Sequence, residues 1–115
     1  MRTISEILPK EAASELLAYR RAVEKAVPSV ERLILFGSRA RGQGRQDSDY
    51  DVAVVVRDLT DRRRIRHALS DLAYGYILHG FYIRPIPITA DFLEARGRRL
   101  TELAEEIARD GVEVA

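Results

Sequence analysis

Gly37 and Ser38 are followed, after ten intervening residues, by Asp49-Tyr50-Asp51, and each group adjoins its own short apolar run. Glycine lets a backbone pass close to a bulky anion and adopt angles closed to other residues, and the serine beside it adds a hydroxyl and an N–H. If Ser38-Arg39-Ala40-Arg41 opens a helical turn, its unpaired N–H groups and positive dipole end face the same anion. A triphosphate suits such a turn. Asp49 and Asp51 stand two residues apart in what should be extended backbone, so their carboxylates project to one side with Cα atoms roughly 7 Å apart. That is close enough to share a hard divalent cation. Mg²⁺ fits the pair because it completes its octahedron with water and phosphate oxygens rather than with protein ligands alone.

Each fragment has a plainer reading when taken alone. Gly37-Ser38-Arg39-Ala40-Arg41-Gly42 is also a flexible basic loop, and Asp47-Ser48-Asp49 is ordinary turn chemistry. In this order, each attached to a strand, they point instead to a nucleotide phosphate site with a metal beside it.

Gly37-Ser38 and Asp49-Tyr50-Asp51 at this spacing resemble the signature of the nucleotidyltransferase superfamily that includes DNA polymerase beta. The wider wording, Leu35-Phe36-Gly37-Ser38-Arg39-Ala40-Arg41-Gly42 and then Asp47-Ser48-Asp49-Tyr50-Asp51, is similar to its small stand-alone branch, the minimal nucleotidyltransferases. The dense resemblance covers about residues 30–57. It implies nucleotide phosphates on Gly37 and Ser38, Mg²⁺ on Asp49 and Asp51, and charge from Arg39 or Arg41 on the leaving group. The implied activity moves an NMP, AMP from ATP, onto a hydroxyl acceptor and releases pyrophosphate, with no covalent enzyme intermediate. Minimal nucleotidyltransferases also often resemble the antitoxin half of a pair whose other member is a helical HEPN-type ribonuclease. A partner of that kind, or self-association, is therefore expected to complete the acceptor side.

One departure bears on turnover. Active members of the superfamily usually place a third carboxylate on a later strand, and the matching stretch here, residues 81–88, contains no acid; Arg84 is its only charge. Asp91 is the nearest acid downstream, and it reads as the start of a helix rather than part of a strand. A two-metal reaction needs ions on both the attacking and the leaving oxygen, so losing a ligand could slow chemistry while sparing nucleotide binding. The alternative reading is a catalytically weak or inactive antitoxin or partner-binding module.

The elements that must position these residues follow from apolar spacing. Leu33-Ile34-Leu35-Phe36 and Val52-Ala53-Val54-Val55-Val56 read as buried strands. Ala12, Leu16, Tyr19, Val23 and Val27 form a helical stripe between Pro9 and Pro28, and a second stripe of Ile65, Leu69, Leu72, Ala73 and Tyr76 follows the cap at Thr60-Asp61. Residues 81–88 carry prolines at alternate positions, so two missing donors lie along one lateral edge and an edge strand is expected. Leu100, Leu103, Ala104 and Ile107 indicate a last helix after Gly97, ending near Gly111 with a short apolar tail. The expected architecture is a small α/β (α+β) domain spanning 1–115, with a mixed sheet of at least three strands backed by helices.

Composition narrows the class further. With 115 residues the chain can bury a modest core but no second substrate domain. It has no cysteine and only two histidines, His67 and His79, which excludes disulfide frameworks and thiolate zinc sites. No apolar run is long enough to cross a membrane and the start shows no signal-peptide pattern, so a cytoplasmic location is expected. Net charge is only +1, yet residues 32–66 hold nine arginines against five aspartates, a bias that favours anions. Arg62, Arg63, Arg64 and Arg66 read chiefly as an exposed helix face. Nucleic-acid binding through arginines is a weaker reading, because no stacking cluster or RNA-reading motif accompanies them.

Overall fold

The computed structural model describes residues 1–94 and 102–115. After a short 3-10 turn at Ile4–Glu6, the order is α1 (Lys10–Ala26), β1 (Val30–Phe36), β2 (Tyr50–Val56), α2 (Arg62–Ile77), β3 (Ile83–Thr89), α3 (Ala90–Leu93), α4 (Glu102–Asp110) and β4 (Val112–Glu113). The four strands form one sheet in the order β3-β2-β1-β4. β1 runs antiparallel to both β2 and β4, whereas β2 and β3 are parallel and joined through α2. The expected mixed sheet is present, with one more strand than the minimum of three.

Alternation along the strands divides the core into two layers. Leu33 and Leu35 of β1 and Val52, Val54 and Val56 of β2 face α1 and α2, where they meet the helical stripe of Ala12, Leu16, Tyr19 and Val23 and, from α2, Leu69 and Ala73. Ile34, Phe36, Ala53 and Val55 face the other way, toward Ile88 and toward Ile107 of α4. The period of two therefore assigns each side chain of β2 to a layer, and Asp51 falls on the α4 side with Ala53 and Val55. The Tyr19 hydroxyl ties the two covering helices together by donating to the Leu69 carbonyl at 2.9 Å. Burial pushes the pKa of this phenol up, as expected of a hydroxyl that acts here only as a neutral donor.

β3 is an edge strand, as its prolines require. The Tyr82 carbonyl accepts from the Tyr50 N–H at 2.7 Å, so even-numbered residues turn their polar groups toward β2 and odd-numbered ones turn outward. Pro85 and Pro87 thus leave the free edge without donors at two successive outward positions. On the opposite edge the apolar tail is more than a tail. Val112 and Glu113 pair with Leu35 and Ile34, and Thr3 bridges Glu113 in turn.

Several boundaries differ from the sequence reading. β1 begins at Val30 rather than Leu33, and β3 begins at Ile83 rather than Phe81. The expected helix start at Gly97 and Leu100 lies outside the described residues. Asp91 sits in the first turn of α3, consistent with its reading as a helix start. Among the described residues no helix is long and apolar enough to cross a membrane.

Candidate functional site

β1 ends at Phe36, whose register partner across the sheet is Asp51. The next residue, Gly37, is buried and has φ +78, a left-handed conformation that a side chain strains. There is also no room for one: a Cβ on Gly37 would lie 2.7 Å from Asp51 Oδ2. The glycine turn and the carboxylate, fourteen positions apart in the chain, are therefore in contact at the ends of adjacent strands.

Beyond Gly37 the chain makes a single helix-like turn rather than a helix. The Ala40 and Arg41 N–H groups both donate to the Gly37 carbonyl at 3.1 Å, and Gly42, with φ +73, ends the turn. These bonds use N–H groups from Ala40 onward, so those of Gly37, Ser38 and Arg39 stand at the open end of the turn. Ser38 is half-buried there.

The remainder of the connection is held by Arg39. Its guanidinium donates to the Ser48 carbonyl at 3.1 and 3.3 Å and to the Gln46 carbonyl at 3.2 Å, and it lies 4.4 Å from the centre of the Tyr50 ring. Tyr50 in turn stacks on Phe81 at 4.3 Å. Gly44 lets the arginine cross, since a Cβ there would meet Arg39 Cδ at 2.4 Å. Arg41 is engaged elsewhere: it donates to Asp110 Oδ2 at 2.6 Å and to Gln43 Oε1 at 3.1 Å. Both arginines expected at the nucleotide thus direct hydrogen bonds to the loop or to α4. Their charge was readable from the sequence, but their direction was not.

Asp49 is exposed and stands one residue before β2, so the expected strand contains Asp51 but not Asp49. Asp51 is enclosed, with its side chain 16% exposed. Burial raises its pKa, and the Asp49 charge adds to that; Arg84 opposes both through its charge and a hydrogen bond from Nε to Oδ1 at 2.7 Å. An enclosed acid beside a second acid favours a cation between them. Two carboxylates of this kind suit a hard divalent ion completed by phosphate and water oxygens, and Asp51 Oδ2 lies on the side of the glycine turn. Among the described residues no group of three His, Cys, Asp or Glu side chains gathers around a metal-sized space.

Two residues of this region escaped the sequence reading. From the sequence Arg84 is only the single charge of its strand; the parallel register sets it opposite Asp51, its partner. Asp110, at the end of α4, carried no signal, and it closes the turn from outside through Arg41. A cavity of about 420 Å³ under α4, lined by Ile34, Val55, Leu93 and Ile107, lies toward the other end of the same sheet face and contains none of the site residues. The site residues lie instead at the ends of β1 and β2.

The polymerase beta nucleotidyltransferase family model matches residues 21–114, which include every residue of this site. The chain belongs to that family. Its members transfer nucleotides and generally use a divalent metal ion. Among solved structures, this nucleotidyltransferase domain is similar to a toxin-antitoxin protein crystallised with AMP-PNP, with 22% identity, a TM-score of 0.58 and coverage of 94% of this chain and 73% of the other. It is also similar to the MntA-HepT toxin-antitoxin, with 19% identity, a TM-score of 0.56 and coverage of 93% and 72%. A candidate nucleotidyltransferase from Sulfolobus solfataricus gives 19% identity, a TM-score of 0.58 and coverage of 90% and 82%. At these identities the likeness is one of fold. Comparison with curated proteins found no match.

Proposed function

We propose that this chain is a Mg²⁺-dependent nucleotidyltransferase that moves AMP from ATP onto a hydroxyl acceptor. The acceptor oxygen would bond to the α-phosphorus as the bond to the bridging β-phosphate oxygen breaks, and pyrophosphate would leave. The observation that carries the reading is the contact between the Gly37 turn and Asp51 at the ends of β1 and β2. It sets N–H donors and an enclosed carboxylate on either side of one cleft, which is what a metal-bound triphosphate requires.

The residues divide the work by chemistry. Gly37 and Ser38 would hold the β and γ phosphates through the N–H groups at the open end of the turn and the Ser38 hydroxyl. Asp49 and Asp51 would hold Mg²⁺, which supplies positive charge to the phosphate oxygens. Arg39 would act mainly by keeping residues 45–48 folded back, so that Asp49 and Asp51 are presented to the turn. Arg41 would secure the turn against α4 and contribute long-range charge to the leaving group.

Calorimetric titration of ATP with Mg²⁺ tests the site. The natural chain should bind, and Asp49→Asn/Asp51→Asn should lose binding while its circular dichroism stays unchanged. Equal binding by both proteins would overturn the assignment.

A second reading is favoured by a specific feature, the basic side chain on β3 where the family usually carries an acid. On that reading the domain is an antitoxin-type module that acts with a helical HEPN-type partner, by contact or by transfer of AMP to a partner tyrosine. The likeness to toxin-antitoxin structures supports it, as do the exposed side chains of Tyr74 and Leu78 at the end of α2. Purification from the native host should bring such a partner down with the chain; a chain recovered alone, or only as a homo-oligomer, would count against this reading.

A further inference from the structure

Arg84 has a fixed base and one evident contact. It is paired in register with Asp51 across the parallel β2–β3 ladder and lies on the same face of the sheet, so the two side chains project side by side. It precedes Pro85, which confines it to extended backbone, and Pro85 is itself locked in φ. From there Nε reaches Asp51 Oδ1 at 2.7 Å. The acid is 16% exposed and the arginine 60%, so an enclosed carboxylate is capped from the solvent side by a guanidinium.

The two oxygens of Asp51 are thereby divided. Oδ2 lies against Gly37, on the side of the phosphate turn, and Oδ1 lies against Arg84. A guanidinium cannot give up its proton near neutral pH, so this positive charge is permanent. One divalent ion between Asp49 and the Oδ2 side of Asp51 leaves the Arg84 contact intact. A second ion would need Oδ1, would meet Arg84 at contact distance, and would find no third acid among the described residues.

We infer that Arg84 is a built-in counter-cation of the acid pair, which holds Asp51 Oδ1 and limits the pair to a single divalent ion. The inference rests on the metal-nucleotide reading above. Arg84 acts through Asp51 and is a positioning residue, so its signature is the number and affinity of bound ions rather than activity alone.

Mn²⁺, followed by its electron paramagnetic resonance, reports both quantities. The natural chain should take up one ion. Arg84→Gln should also take up one, about tenfold more tightly, because a competing charge at contact distance has been removed. Arg84→Glu, which adds a third carboxylate, should take up two. Arg57→Gln removes the same charge from an exposed position just past the far end of β2 and should stay within about twofold of the natural chain. With Arg84 so exposed the variants should fold, and circular dichroism checks this.

Two ions in the natural chain, no tightening in Arg84→Gln, or equal tightening in Arg57→Gln would overturn the inference. If the natural chain binds Mn²⁺ and ATP but Arg84→Gln behaves like it, Arg84 alone loses its role. If no protein takes up Mn²⁺ with or without ATP, the metal site fails and the inference fails with it.

Discussion

Gly37 is constrained twice, by its own backbone and by a side chain fourteen positions away. Its φ of +78 strains any residue with a Cβ, and that Cβ would sit 2.7 Å from Asp51 Oδ2. Relief requires moving either the turn or the carboxylate, and both belong to the cleft. Gly37→Ala should therefore lower stability by about 1–3 kcal/mol through strain at this position. It should also weaken Mg²⁺-ATP binding by more than its stability loss explains, because the folded fraction would still carry a displaced Asp51. Urea unfolding and calorimetry on the same samples separate the two effects. Ser38 and Asp49, by contrast, are reached from solvent and tolerate replacement structurally, so their variants isolate binding from folding.

At the scale of elements, the loop between β1 and β2 is held from two directions. Arg39 binds its later half from inside, and Asp110 at the C-terminus of α4 binds Arg41 from outside. An acid at a helix C-terminus opposes the dipole, yet this one is 4% exposed and bonded to both Arg109 and Arg41. Hydrogen bonds from Arg109, with those from Arg41, hold its carboxyl below the ordinary range against the opposing effect of burial. A depressed pKa gives stability that is present above the unfolded value and is lost as pH falls through the folded one. The natural chain should therefore be more stable than Asp110→Asn at pH 7, and the gap should shrink below about pH 4, the ordinary aspartate value, and close in stronger acid. Thermal unfolding of both proteins from pH 7 to pH 2 measures it, and a gap independent of pH would contradict this account.

The same elements show what periodicity can and cannot reveal. The stripes through Leu16 and Leu69 and the runs through Leu35 and Val54 were legible because burial repeats along each element. So was the edge position of β3, since Pro85 and Pro87 declare their missing donors. Spacing also brought Gly37 and Asp51 together, because both had to lie at strand ends. β4 was not legible: two residues offer no period, and their strand character comes from pairing with Ile34 and Leu35. The directions of Arg39, Arg41 and Arg84 were hidden for a related reason. A guanidinium reaches whatever acceptor the fold brings near, and here these are the Ser48 carbonyl, Asp110 and Asp51, at separations no local pattern encodes.

Across the whole molecule, the two sheet edges and the two sheet faces are treated differently. α1 and α2 cover one face, and α4 packs on the other through Ile107. The β3 edge is blunted by proline, which discourages another strand from pairing there. Pro85→Val would restore one outward N–H and is expected to raise self-association at high concentration, measured by light scattering, with Mg²⁺-ATP binding by calorimetry retained. A variant that stays as dispersed as the natural chain would show that other features guard this edge. Tyr74, Ile77 and Leu78 at the end of α2, and Tyr82 just before β3, are exposed.

The opposite edge has a consequence for the order of assembly. Thr3 bridges Glu113, the Glu113 N–H donates to the Arg2 carbonyl at 2.7 Å, and Val112 pairs with Leu35. The contacts of Arg2 and Thr3 with Glu113 join residues more than a hundred positions apart, so they carry the largest loop-closure entropy at the sheet. Both strands bearing Gly37 and Asp51, and the β3 partner of Asp51, are already available by residue 89. The cleft can thus take shape while β1 still has a bare edge, which Val112 and Glu113 cover only once they fold back beside Thr3.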